Sequence, residues 1–328
     1  MPCEGVRVQP PRLSFISEDD QRVLDSSELC HELALMARGA ALACGPYLRQ
    51  ARLRVGEAEL KVDHHDPVTV FDRQVESALA QFLGRFIPGS SMLGEEHGVQ
   101  LLAGGQPRDL DGITAPDFNA HVDARSLASR VRWVVDPIDG TSNFAAGDEY
   151  FGTSIAVQLD GVTVAAAIHI PCYGRTIWGA RERGWLEVEG EFFALDSAGP
   201  SSQAEATLFS YFPTSRDLKN YPQQAFSGFK VLLEGFRAVR RPGACALDLA
   251  RLACGHGGAV FATQVKPWDV LAGAHLVRLS GGEVFHSVPT DAEPFRSGGV
   301  GPVVAATAAG LKAPALEQAS QLLEVVYA

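Results

Sequence analysis

Hydrophobic and polar positions along the chain fall into three regimes. From about Ser27, apolar residues Leu29, Leu33, Met36, Ala40, Cys44 and Tyr47 recur at helical spacing, with Pro46 near the end. Val75, Leu79, Phe82, Leu83 and Phe86 mark a second amphipathic helix that stops near Pro88. Between them, Ala58 to Val62 alternates as a short hairpin strand would. An apolar, β-branched run through Val131, Trp133, Val134 and Val135 predicts a buried strand ending at Asp136-Pro137, since proline cannot donate to a sheet ladder. Short strands follow at Thr153–Leu159, Thr163–Ile170, Arg175–Ala180 and Gly184–Glu187, an antiparallel meander. Residues 97–130, rich in Gly-Gly, Asp-Gly and Ala-Pro signals, read as a long loop.

Beyond a Ser/Gly/Pro-rich stretch from Asp196 to Ala204, strands alternate with helices. Leu208–Phe212, Phe236–Val239, Glu283–Phe285 and Gly301–Ala305 read as strands; Ala246–Cys254, Trp268–Ser280 and Leu316–Val325 read as helices. The expected organisation is an N-terminal α+β lobe with an antiparallel sheet over 1–200 and a C-terminal α/β lobe over 201–328.

The 328 residues include 46% hydrophobic positions, ordinary for a chain with a full core, and the net charge is −11. That charge argues against a nucleic-acid or membrane-surface partner, so any site for an anionic substrate must be built locally. Six scattered cysteines with no C-x-x-C pair read as reduced thiols of a cytoplasmic protein. There is no apolar leader at the N-terminus and no stretch long enough to cross a membrane.

Candidate chemistry is concentrated where apolar runs end. Asp136 and Asp139 crowd one strand end, and like charges that close repel unless a cation lies between them. Hard oxygen ligands suit Mg²⁺. Gly140-Thr141-Ser142 follows at once and offers backbone N–H groups for an anion. Glu95-Glu96 follows Gly94, and Asp269 follows Pro267-Trp268 at a helix start; taken singly, these read rather as a solvated loop pair and a helix-dipole partner than as ligands. Asp72 reads singly as a helix cap. His64-His65, beside Asp63 and Asp66, reads as a solvated loop rather than a metal site, and His97 and His169 read as incidental or structural.

Gly94-Glu95-Glu96, Asp136-Pro137-Ile138-Asp139-Gly140-Thr141 and Trp268-Asp269, in this order, resemble the signature set of the inositol monophosphatase family, Mg²⁺-dependent and lithium-sensitive phosphatases. The likeness extends to Lys61, to Asp66-Pro67-Val68-Thr69 with Asp72, and to Arg241 through Ala250, over roughly residues 28 to 310. The resemblance implies an α/β fold, an α+β layered sandwich of αβαβα architecture. It implies that Glu95, Asp136, Asp139, Asp269 and the Ile138 carbonyl hold two or three Mg²⁺ ions, and that metal-activated water attacks phosphorus. Glu95 and Thr141 would orient and deprotonate that water, and Asp139 would help protonate the leaving group. Gly140 and Thr141 N–H groups would hold phosphate oxygens, and Gly243-Ala244-Cys245 would contact substrate hydroxyls. Lys61 and Asp72 would lie in an outer shell, with Thr69 in support.

The implied substrate is a small phosphorylated metabolite such as an inositol monophosphate or a related polyol or sugar phosphate. Histidinol phosphate, fructose bisphosphate or a 3′-phosphonucleotide is the alternative, as is a catalytically weak regulatory or binding member. Family members are often homodimers, so a homodimer is a further expectation. Two departures from the family pattern stand out. Ala262 occupies the position, seven before Asp269, where inositol-cleaving members carry a hydroxyl-reading glutamate, and the stretch between Glu95 and Asp136 is longer than in compact members.

Overall fold

The computed structural model describes residues 6–9, 11, 26–55, 59–60, 67–68, 70–105, 112–116, 122–286 and 301–327. The chain divides into two compact units, Val6–Ala194 and Leu195–Ala328.

In the first unit α1 (Ser26–Ala51) leads to a two-residue hairpin, β1 (Glu59–Leu60) with β2 (Pro67–Val68), then to α2 (Val70–Phe86). β3 (Ser91–Gly94), β4 (Gly98–Leu101), a single turn α3 (Ala124–Leu127) and β5 (Val131–Asp139) follow. After β5 come the short helix α4 (Thr141–Ala145) and the strands β6 (Gly152–Leu159), β7 (Val162–Ile170), β8 (Arg175–Ala180), β9 (Arg183–Val188) and β10 (Glu191–Ala194). The eight-stranded sheet has the order β10-β9-β8-β7-β6-β5-β3-β4. All its pairings are antiparallel except β3 with β5. α1 packs on β6, β7 and β8, and α2 on β5. The apolar stripes foreseen on both helices are the reason: Leu33, Met36, Ala40, Leu79, Phe82 and Leu83 join Trp133, Val135 and Trp178 in one core.

Pro46 lies near the end of α1, as its spacing predicted; Leu48 and Ala51 beyond it extend the buried face, and tertiary burial outweighs the lost backbone donor. Three sequence readings need correction here. The supposed long loop opens with β4, whose Val99 and Leu101 point outward on an edge strand and so hide the usual strand pattern. β10 extends the meander by one strand. β5 does not stop at Asp136. It runs to Asp139 through a register shift, with Asp136 opposite Ser154 and Asp139 opposite Gly152, so three residues advance against two. That bulge accommodates Pro137 within a central strand, at a position where no ladder donor is required.

The second unit holds β11 (Thr207–Ser210), α5 (Ser215–Asn220), α6 (Pro222–Gly235), β12 (Ala238–Arg240) and α7 (Cys245–Ala253). It continues with β13 (Ala259–Val265), α8 (Pro267–Leu279), β14 (Glu283–His286), β15 (Gly301–Thr307) and α9 (Pro314–Tyr327). Its five-stranded mixed sheet has the order β12-β11-β13-β15-β14, with β11 parallel to both neighbours. α7 packs on α8, and α6 on α9. α5, α6 and β13 have no counterpart in the sequence reading. α6 buries only Ala225, Gly228 and Leu232, a small-residue stripe that periodicity hardly registers.

No described helix is long and apolar enough to cross a membrane. The five cysteines among the described residues are free thiols.

His169 on β7 is buried, within 3.0 Å of Thr176 Oγ1, and burial pulls its pKa down to about 4. The unfolded imidazole, near its ordinary 6.5, binds a proton that the folded one refuses, so this contribution to stability is complete above pH 6.5 and disappears as pH falls towards 4. The shift corresponds to about 3 kcal/mol lost across that window. Urea titrations at pH 7 and pH 4.5 should therefore show a smaller acid-induced loss in His169→Gln than in the parent protein; an equal loss would refute the assignment.

Candidate active site

The geometry begins with the parallel pairing of β3 and β5, which sets Gly94 opposite Val135. One step further, Glu95 leaves β3 and Asp136 begins the bulge of β5. Asp136 and Asp139 are 2% and 5% exposed, so two carboxylates are desolvated at one strand end. Isolated buried carboxylates are costly, and such pairs persist only with compensation. Part of it is local: Asp136 Oδ1 accepts the Ile138 N–H at 3.0 Å. Thr153 Oγ1 donates to the Pro137 carbonyl at 2.9 Å and pins the bulged peptide.

Gly140 then turns the chain with φ +88°, a left-handed conformation that glycine adopts without strain, and α4 starts at Thr141. The Thr141 hydroxyl lies 2.9 Å from the Ile138 carbonyl and 3.2 Å from Asp72 Oδ1. A hydroxyl carries one proton, so it donates to one of these acceptors at a time or shares the proton between them. Donation to either leaves the hydroxyl oxygen able to accept a further hydrogen bond. Below the turn, Phe144 meets Phe151 edge-on at 4.9 Å and Phe71 at 5.7 Å, which anchors α4 in the core.

Asp72 comes from the first turn of α2 and is fully buried, as is Glu76 one turn later. Glu76 escaped the sequence reading. Its carboxylate accepts the backbone N–H groups of Glu96 at 2.8 Å and His97 at 2.9 Å, with His97 Nδ1 at 2.8 Å and Gln100 Nε2 at 3.3 Å. It therefore holds the turn that carries Glu95. A Cβ at Gly94 would lie 2.4 Å from the Glu76 carboxylate, so the glycine makes room for this grip. The missed signal was present: Asp72 and Glu76 share the face of Val75 and Leu79, and acidic residues on an apolar helix stripe are there for a partner. His97 is a structural partner of Glu76, in line with its sequence reading.

The remaining candidates lie in the Leu195–Ala328 unit. Asp269 sits in the first turn of α8, where its Oδ2 accepts the Lys266 N–H at 2.6 Å. Gly243 has φ +92°, and Ala244 and Cys245 are buried where α7 begins, so this loop presents backbone rather than side chains. Ala262 is buried in β13 opposite Val304. Near the same strand, Asp217 accepts hydrogen bonds from Thr263 at 2.7 Å and Gln264 at 3.3 Å, a network that sequence reasoning did not foresee. Lys61 and Thr69, like His64 and His65, lie outside the described residues. No group of three or more His, Cys, Asp or Glu side chains among the described residues forms a ready-made metal cage.

Comparison with known proteins settles the lineage. The model of the inositol monophosphatase family matches residues 30–323. This chain belongs to that family. An inositol-1-monophosphatase SuhB of Mycobacterium tuberculosis is 34% identical over 258 residues, covering 78% of this chain and 79% of that protein. A histidinol-phosphatase from the same organism is 30% identical over 239 residues, covering 71% and 80%. The solved structure of Mycobacterium tuberculosis SuhB superposes with a TM-score of 0.66 at 28% identity, covering 90% of this chain and 98% of that one. The α/β fold with mixed sheets and helices thus agrees with the expectation drawn from the signature residues.

If Glu76 fastens the Glu95 turn, Glu76→Gln should cost about 1.5–3 kcal/mol in urea unfolding, the range for hydrogen bonds to a charged group. Amide exchange at Glu96 and His97 should accelerate with it. Unchanged protection at both amides would show that the turn holds itself.

Proposed function

We propose that this protein is a Mg²⁺-dependent phosphomonoesterase acting on a small phosphorylated metabolite, with a polyol or sugar phosphate as the first candidate. The observation that carries this reading is the desolvated pair Asp136 and Asp139 at the bulged end of β5, next to a turn whose hydroxyl is shared with buried Asp72.

The donor set fits the ion. Carboxylates of Glu95, Asp136 and Asp139 and the Ile138 carbonyl are hard oxygen ligands gathered on neighbouring strand ends, and Asp269 is proposed to complete them. Two or three Mg²⁺ ions are proposed there; when bound they would neutralise charge on the phosphoryl group and lower the pKa of water. The chain's own residues do the rest. The Thr141 hydroxyl donates its hydrogen bond to Asp72 and keeps its proton, so the Thr141 oxygen can accept from the attacking water, and Glu95 would receive that water's proton. N–H groups of Gly140 and Thr141 would hold phosphate oxygens. Asp139 would support proton delivery to the departing alkoxide. Asp136, held by the Ile138 N–H, keeps its orientation without a search at each turnover. Gly243, Ala244 and Cys245 are assigned to the organic part of the substrate, Lys61 and Thr69 to supporting roles.

Ala262 favours a second substrate reading. An apolar residue in place of a hydroxyl reader weakens selection for inositol. Histidinol phosphate, fructose bisphosphate and a 3′-phosphonucleotide therefore belong in the same assay. Cytoplasmic location and a homodimer remain part of the proposal.

Phosphate release should be measured across inositol 1-phosphate, fructose 1,6-bisphosphate, histidinol phosphate and a 3′-phosphonucleotide, with Mg²⁺ and with EDTA. Turnover should require the metal, and Asp136→Asn should lower it at least ~10²-fold, the scale of losing a principal electrostatic element. Near-normal Mg²⁺-dependent turnover by Asp136→Asn would overturn the mechanism. Absence of turnover on every substrate would favour a binding or regulatory role.

A further inference from the structure

The Leu195–Ala328 unit contains an open cavity of about 630 Å³ beside β11, β12 and α7. Its lining includes Arg240, Arg241, Arg251 and His256 and, among the described residues, no Asp or Glu. In a chain with 39 acidic and 28 basic residues, a wall with three guanidinium groups departs sharply from the average surface.

The wall is built rather than incidental. Phe209 and Arg240 are Cα partners across β11 and β12, so both side chains leave the same face of the sheet. The Arg251 guanidinium stacks 4.3 Å above the Phe209 ring, which fixes the orientation of its fork. Arg241 is tied down by Nη1 to the Pro213 carbonyl at 3.0 Å and Nη2 to the Tyr211 carbonyl at 3.1 Å. The far wall is the loop from Gly255 to Gly257. The His256 N–H donates to the Arg251 carbonyl at 3.0 Å, and a Cβ at Gly257 would come within 2.6 Å of the Phe209 ring. Neither Arg240 nor Arg241 has a carboxylate within ion-pair distance among the described residues. Planar guanidinium forks recognise phosphate oxygens two at a time, and the cavity is of ligand size.

We propose that this cavity binds a small, multiply charged phosphate-bearing anion of the diphosphate class. The site is metal-independent, since its charge comes from arginines. That property separates it from the carboxylate site proposed above, whose hold on phosphate requires a cation.

The test is isothermal titration of inorganic pyrophosphate into the full chain held in EDTA. One equivalent should bind, and a parallel titration with adenosine diphosphate distinguishes an inorganic from an organic diphosphate, the tighter of the two naming the source. Arg240→Gln and Arg251→Gln should each weaken binding at least ~10-fold, as expected for loss of a charge-assisted bidentate contact. Arg240 is exposed, so its replacement tests the site even if loss of the Arg251 stack unfolds the unit. Asp136→Asn should bind as the parent does. Absence of saturable binding in EDTA, an affinity unchanged by Arg240→Gln, or loss of binding in Asp136→Asn would each overturn the proposal.

Discussion

Everything at the candidate active site depends on keeping two carboxylates out of water at the end of one strand. Asp136 and Asp139 are nearly inaccessible, and the register of β5 against β6 shifts between them. In a regular strand, residues three apart lie on opposite faces. The extra residue in β5 breaks that alternation between Asp136 and Asp139. Proline is suited to this place, because the position it occupies asks nothing of a backbone donor.

The surrounding parts read as support for that one arrangement. β3 runs parallel to β5 and ends with Gly94 opposite Val135, one residue before Glu95 and Asp136, while α2 contributes two acids from its buried face, one for each neighbour. Asp72 engages the hydroxyl that follows β5, and Glu76 engages the peptide groups that follow β3. A single helix thereby registers both strand ends against each other. Packing fixes the helix in turn, through Val75, Leu79 and Phe82 in the core shared with Trp133. The low-dielectric surroundings that make these carboxylates costly also make each hydrogen bond to them strong.

Much of this was legible in the order of residues. Helical spacing in α1 and α2, the β-branched run of β5 and the meander after it all follow from one-sided burial, and the structure places elements there. The chemistry-bearing residues at strand and helix ends stood out because charged groups next to apolar runs need a reason. What remained hidden has physical causes. β4 turns its apolar residues outward, so alternation points the wrong way. β5 continues beyond Pro137 because a bulge is a pairing property, invisible until the partner strand is known. Glu76 looked like one more charge on a helix; its value lies in two amides twenty and twenty-one positions later. The Asp217 network and the arginine-lined cavity likewise join segments far apart in the chain.

Gly94 illustrates what such tight construction entails for the history of the protein. Its missing side chain and the Glu76 carboxyl group occupy a single volume. Neither position can drift alone: a bulkier residue at 94 would evict the acid, and a shorter acid at 76 would release the turn while leaving a hole. Change at this corner must come as a paired exchange, which makes the two sites a unit of inheritance rather than two independent letters.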